Sequence, residues 1–288
     1  FQNPGVKKFF ILILPAIVAG GIAQINLLID TIFASLLITG SPTWLYVSDR
    51  LIQFPMGIFA IAIGTVLLPS LSKAYAQKEI QAYAEQLEHA FKLVFFLAIP
   101  SLIGLVLFAS PLLATIFQRG AFLWSDVQQA SLSLIAFSFG LPFFMAMKVL
   151  VPAFFSRQNT KTPMLIAFLS LLINVCLNYL LAFYFGLGHL GLAIASSISA
   201  IVSVIILSFI LKRDGLISFA GILSTFSLKV LIASVALISF LSIFNQYFDF
   251  ELFSQTQRLL HLVAAVIGSL IIYFGSSFIL GVRPADFK

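Results

Sequence analysis

Residues 189–211, HLGLAIASSISAIVSVIILSFIL, contain no Asp, Glu, Lys or Arg from end to end. As a helix rising 1.5 Å per residue, this run measures ~34 Å, enough to cross the roughly 30 Å hydrocarbon core of a bilayer. The pattern repeats along the chain, with apolar stretches at 9–38, 44–71, 88–110, 125–156, 162–185, 189–211, 225–244 and 257–281. Composition agrees: 61% of the 288 residues are apolar and 9% charged, against roughly a quarter charged in a soluble domain. A membrane β-barrel would alternate apolar and polar residues, and these unbroken runs do not. The expected fold is an all-α, polytopic membrane bundle of eight spans. Cys176 is the single cysteine, so no disulfide forms within the chain. The chain opens on Phe1 rather than Met, and we expect a piece of a longer protein.

Eight spans put both ends on one side. Of the 16 lysines and arginines, twelve fall in connections on that side, and only Arg119 and Arg258 fall on the other. The positive-inside rule then makes both ends cytoplasmic in a multi-pass protein. The net charge of +6 belongs to scattered inner loops facing anionic lipid and argues against nucleic acid as a partner. Among the connections, 73–90 reads as a cytoplasmic helix running into the third span, and 111–119 as a short interfacial helix on the outer side. The break over 214–224 divides a lobe, 1–213, from a final pair of spans, 214–288. Prolines inside spans (Pro15, Pro55, Pro100, Pro142, Pro152) suggest a bundle that bends.

Four ionisable residues lie within spans: Asp30, Asp49, Arg50 and Lys148. Facing lipid, they would together oppose insertion by roughly 10 kcal/mol, so we expect them to face an interior or a water-filled cavity. On the second span Tyr46, Asp49, Arg50, Gln53 and Gly57 share an arc of about 100°, a polar face able to line a cavity. Snorkelling of Arg50 to the outer interface is the alternative, since Trp44 is only ~9 Å above it. A guanidinium in a low-dielectric cavity suits phosphate or carboxylate. Lys148 is either a second cavity cation, or the partner of a bundle acid, or a snorkelling side chain.

A second constellation is rich in neutral oxygens. Asn26 and Asp30 are four apart on the first span, Ser170, Asn174 and Asn178 repeat on the fifth, and Ser196, Ser199 and Ser203 share a face of the sixth. Such oxygens either hold a small hard cation such as sodium or hydrogen-bond packed helices together. Signatures of enzymes and of organic cofactors are absent: there is no His-Glu-x-x-His, Walker loop or Gly-x-Ser-x-Gly. His89, His189 and His261 are far apart, with His189 read as a loop residue in a glycine-rich outer turn. The loop acids, Glu79, Glu85, Glu88, Asp249 and Glu251, offer no catalytic pair for a polyprenyl-phosphate enzyme.

Particular motifs go further. Asn3-Pro4-Gly5-Val6-Lys7-Lys8 precedes Leu14-Pro15-Ala16, Gln24-Ile25-Asn26, Asp30 and Gly40-Ser41. Tyr46 to Arg50 leads to Phe54-Pro55-Met56-Gly57-Ile58-Phe59 and to Gly64-Thr65-Val66-Leu67-Leu68-Pro69-Ser70. Gly120-Ala121-Phe122, Lys148-Val149-Leu150 and Thr160-Lys161-Thr162-Pro163 follow. From residue 3 to about 200, this order resembles the second half of the MurJ/MviN lipid II flippase family of the MOP superfamily; the last two spans fit by position and hydropathy alone.

The resemblance implies that these spans are helices seven to fourteen of a fourteen-helix transporter in the bacterial inner membrane. It would move lipid II, the undecaprenyl-pyrophosphate-linked peptidoglycan precursor, between leaflets by alternating access. The second lobe would pair with a first lobe absent from this sequence, and the final two helices would form a groove for the lipid tail. The resemblance sets Arg50 among cavity arginines that engage the pyrophosphate or sugar, beside Asp49, Gln53, Tyr46 and Lys148. It also implies a sodium site on Asp30, Asn174 and Asn178, with a hydroxyl from Ser196 or Ser197. Asn178 and Gln53 stand where acids occur in some relatives, so this chain carries fewer negative charges there. A multidrug cation antiporter or an O-antigen flippase of the same superfamily is the alternative.

Overall fold

The computed structural model describes residues 4–217, 225–248 and 250–283. Residues 218–224 of the expected break, together with Asn3, Asp249 and Lys288, lie outside the described residues, and of Lys7 and Lys8 only the backbone is described.

The described residues form helices joined by short turns, without strands. Ten α-helices follow one another: α1 (Pro4–Ser35), α2 (Ser41–Pro55), α3 (Ile61–Ala76), α4 (Ile80–Leu107), α5 (Ala109–Phe117), α6 (Trp124–Ser156), α7 (Lys161–Asn178), α8 (Gly188–Arg213), α9 (Thr225–Tyr247) and α10 (Gln255–Ile279). Seven are long and apolar enough to cross a membrane, and α2 with α3 makes an eighth span bent by 43°. The bend has a chemical cause. Pro55 ends α2 without an N–H to continue the ladder, and the chain passes through a π-helical segment, Met56–Ala60, before α3 begins. A second π-helical segment, Tyr179–Tyr184, extends α7.

Two connections differ from expectation. The helix expected over 73–90 is two pieces: α3 runs on to Ala76, and Glu79 N donates to Ala74 O to close its end in a Schellman-like turn. Lys78 takes a left-handed φ of 60° there, and α4 starts afresh at Ile80. The short helix expected over 111–119 exists as α5, shifted two residues earlier, with Leu113 and Ala114 buried.

Helix α6 is the axis, touching α2, α3, α4, α5, α7 and α8. Around it Leu71, Tyr83, Leu87, Leu113, Leu134, Leu141, Met145, Leu150, Phe154, Leu207 and Leu211 are fully buried in one cluster. Lipid offers little hydrophobic drive for helices to meet, so polar bonds and close backbone contacts matter more. Ser48 Oγ of α2 donates to Ala130 O at 2.7 Å, Tyr83 Oη of α4 to Ala153 O at 2.6 Å, and Ser197 Oγ of α8 to Ala136 O at 2.9 Å. All three acceptors are on α6. Gly64 lets α3 approach so closely that a Cβ there would lie 2.9 Å from Lys148 O. A second cluster joins Phe96, Ile103 and Phe108 to Val230, Leu237 and Leu241 of α9 and to Leu262, Ala265 and Tyr273 of α10.

His189 is not a loop residue. It is buried in the first turn of α8, edge-on to Trp44 with ring centroids 4.9 Å apart. Both ring nitrogens are engaged, Nδ1 with Ser133 Oγ at 2.7 Å and Nε2 with Gln129 Oε1 at 3.0 Å. Trp44 Nε1 in turn donates to Asp126 Oδ1 at 2.8 Å, while Asp126 Oδ2 accepts from Leu123 N. The ends of α2, α6 and α8 are thereby tied together.

Candidate functional site

The span formed by α2 and the π-helical segment Met56–Ala60 presents two different faces. Tyr46, Asp49, Gln53, Met56 and Gly57 face a cavity of about 550 Å³, completed by Asn26 and Asp30 of α1, Phe137, Phe144 and Lys148 of α6, and Ser196 of α8. Phe54, Pro55, Ile58 and Phe59 face away, into a groove of about 290 Å³ whose other walls include Leu97 and Gly104 of α4, Leu241 of α9, and Tyr273 and Phe274 of α10. One bent span thus separates a chamber that carries polar and charged side chains from a groove that is almost wholly apolar.

Of the expected binding residues, Tyr46, Asp49, Gln53 and Lys148 line the cavity. Gln53 Nε2 donates to Asp49 Oδ2, four residues back, which fixes the carboxylate toward the cavity wall. Arg50 lies beside the cavity rather than in its wall, because the next residue on a helix turns about 100° from Asp49. Its guanidinium stacks over the Tyr46 ring, 4.8 Å from the centroid, and the side chain is exposed. Among the described residues no acid lies within 4.0 Å of Arg50 or Lys148. Lys148 therefore has no acidic partner within the bundle among the described residues.

The oxygen constellation closes into a ring. Asn178 Nδ2 donates to Asp30 Oδ1 at 2.6 Å and to Asn174 Oδ1 at 2.9 Å; Asn174 Nδ2 donates to Ser196 Oγ at 3.1 Å; Ser196 Oγ returns to Asp30 Oδ2 at 3.5 Å. Asn174 and Asn178 are buried, and Asn26 joins from α1 through Nδ2 to Asp30 Oδ2 at 3.3 Å. Ser197 takes no part, since its hydroxyl is spent on α6. Ser170 reaches Ser199 O at 3.4 Å, and Ser199 and Ser203 bond within α8, so these are packing contacts. Two buried amide oxygens, Asn26 Oδ1 and Asn178 Oδ1, have no hydrogen-bond partner. Hard oxygens around one carboxylate, two of them unsatisfied, fit a small monovalent cation.

One bent span, a cavity carrying several polar side chains and an adjoining apolar groove make up the candidate site of this membrane bundle. Solved transporters share the fold: a structure titled "Lipid II flippase MurJ, inward closed conformation" aligns with TM-score 0.75 and 25% identity over 97% of this chain and 56% of its own. An outward-facing MATE transporter of the MOP superfamily aligns at 0.65 with 16% identity over 94% of this chain and 63% of its own. The family model "Lipid II flippase MurJ" matches residues 1–259. The chain belongs to that family. Among curated relatives, the probable lipid II flippase MurJ of Vibrio cholerae is 44% identical over 72% of this chain and 39% of its own length. That of Haemophilus influenzae is 37% identical over 98% and 56%. The lipid II flippase MurJ of Burkholderia cenocepacia is 31% identical over the full chain and 56%. The chain spans about half the length of these relatives.

Proposed function

We propose that the chain forms the second lobe, 1–213, and the two tail-groove helices, 214–288, of a lipid II flippase of the bacterial cytoplasmic membrane, serving peptidoglycan synthesis. Both ends of the segment lie on the cytoplasmic side, and a first lobe supplied by further sequence closes the other half of the cavity. No bond is made or broken. The observation that carries this reading is the partition made by the bent span, with a chamber bearing polar and charged side chains on one face and an apolar groove on the other. An amphiphile with one bulky polar head and one long apolar tail needs both.

In the proposed mechanism, Arg50 and Lys148 hold anionic oxygens of the headgroup, Arg50 swinging from its Tyr46 stack with its planar donors available. Asp49, held by Gln53, accepts from sugar hydroxyls. Rocking of the lobes then carries the head across while the prenyl chain stays in the groove. A cation exporter of the same fold would use the carboxylates of Asp30 and Asp49 instead. The two cations without acidic partners favour the anionic lipid.

The experiment is growth rescue of a flippase-depleted strain. The chain joined to its first lobe is expected to restore growth, and the chain alone is not; failure of the joined protein at normal expression would count against the reading. Asp30, Asn174, Asn178 and Ser196 would hold a sodium ion, which would neutralise the half-buried Asp30 carboxylate. Sodium, compared with potassium at equal ionic strength, is expected to raise the melting temperature of the purified protein by ligand linkage. Asp30→Ala is expected to remove that rise, and a sodium response that survives the substitution would exclude the site.

A further inference from the structure

Asn26 stands where the hydrogen-bonded ring meets the cavity, and its amide is only half used. Its Nδ2 donates to Asp30 Oδ2, while Oδ1 is shielded from solvent without a partner. Buried amide oxygens of this kind are rare in native structures, and an ion is among the few physical reasons for one. The pattern across the three amides is informative. Asn26 and Asn178 both point their nitrogens at Asp30, and these are the two whose oxygens lack partners. Asn174 points its nitrogen at Ser196 instead, and its oxygen is satisfied by Asn178.

A cation on Asp30 repels the two amide nitrogens and attracts the two oxygens. A half-turn of a terminal amide exchanges its N and O at almost no cost in shape, since the two ends are nearly isosteric. We propose that Asn26 is a ligand of the cation held by Asp30, turning its Oδ1 onto the ion and its Nδ2 away from the carboxylate. This rests on the cation reading of the ring given above. Besides Asp30, the ring holds only neutral amides and a hydroxyl, so one ligand charge matches one monovalent ion; sites for divalent calcium draw on several carboxylates. Among the described residues no group of three or more His, Cys, Asp or Glu side chains comes together.

The test is a sodium titration of thermal unfolding in the joined full-length protein, at constant ionic strength with potassium as the balancing cation. Asn26→Leu is expected to unfold within a few degrees of the parent in potassium and to need about tenfold more sodium for half of the stabilisation, in the range seen when a residue that holds or orients a metal is lost. Asn26→Asp is expected to move the other way. Two carboxylates four residues apart repel one another without the ion, so this variant melts lower in potassium and responds at lower sodium. Equal sodium midpoints for the parent and both variants would overturn the assignment of Asn26 while leaving Asp30 as the site. No sodium response in the parent would remove the cation reading itself, and the proposal with it. Should Asn26→Leu fail to fold, the Asn26→Asp midpoint decides alone.

Discussion

Arg50→Ala, in the chain joined to its first lobe, is expected to abolish growth rescue of a flippase-depleted strain while leaving expression and membrane insertion intact. The side chain is exposed, forms no ion pair among the described residues, and packs only over the Tyr46 ring. Its loss should therefore cost the fold less than about 1 kcal/mol, the scale of an exposed cation–π contact. The functional loss should be far larger, because a guanidinium can grip a phosphate bidentately and few other side chains can. Arg50→Lys keeps the charge but loses the planar fork, so it should rescue poorly. Normal growth with Arg50→Ala would remove Arg50 from the mechanism.

Gly191→Ala is expected to be the most damaging single methyl in the bundle. A Cβ at this position would lie 2.7 Å from Ala182 N and from Leu181 C, which are backbone atoms that no rotamer change can move. Overpacking of this kind costs about 1–3 kcal/mol. The displaced segment is the π-helical stretch Tyr179–Tyr184, which begins directly after Asn178, so the hydrogen-bonded ring should be disturbed as well. The expected outcome is a melting temperature several degrees lower together with a weakened sodium response. Gly104→Ala, which meets nothing within 4 Å, is the control and should be neutral or slightly stabilising. Parent-like melting of Gly191→Ala would contradict the packing of the Tyr179–Tyr184 segment against α8.

The spans were legible because lipid permits only a few solutions: a long run without charge must be helical and must cross. Their interruptions were harder to read. Pro55 marked a break in the second span, but whether it produced a kink or a π-helical segment depends on how neighbouring helices accept the freed carbonyls. Within 73–90, alanine-rich composition hid a turn whose signal was a single residue, Lys78, in a left-handed conformation. The polar face of α2 was readable from helical periodicity, and so was the ladder of Asn174 and Asn178.

Contacts between spans were not readable. The choice between Ser196 and Ser197 turns on 100° of helix rotation, and only packing against α6 decides it. His189 looked like a loop residue because glycines surround it, yet its partners Trp44, Ser133 and Gln129 come from two other helices. Arg50 was expected on the cavity-lining face but lies on the cavity's flank, stacked over the Tyr46 ring and otherwise exposed. The groove behind Phe54 and Pro55 had no local signal, since its apolar walls come from four helices that all look alike in sequence.

The most direct test of the central claim is the appearance of lipid II in the outer leaflet of cells lacking other flippases. The chain joined to its first lobe should carry lipid II outward, and replacing Arg50 and Lys148 together by Ala should stop it while the protein remains folded in the membrane. Outward movement of lipid II at the parent rate with both cations removed would contradict the account.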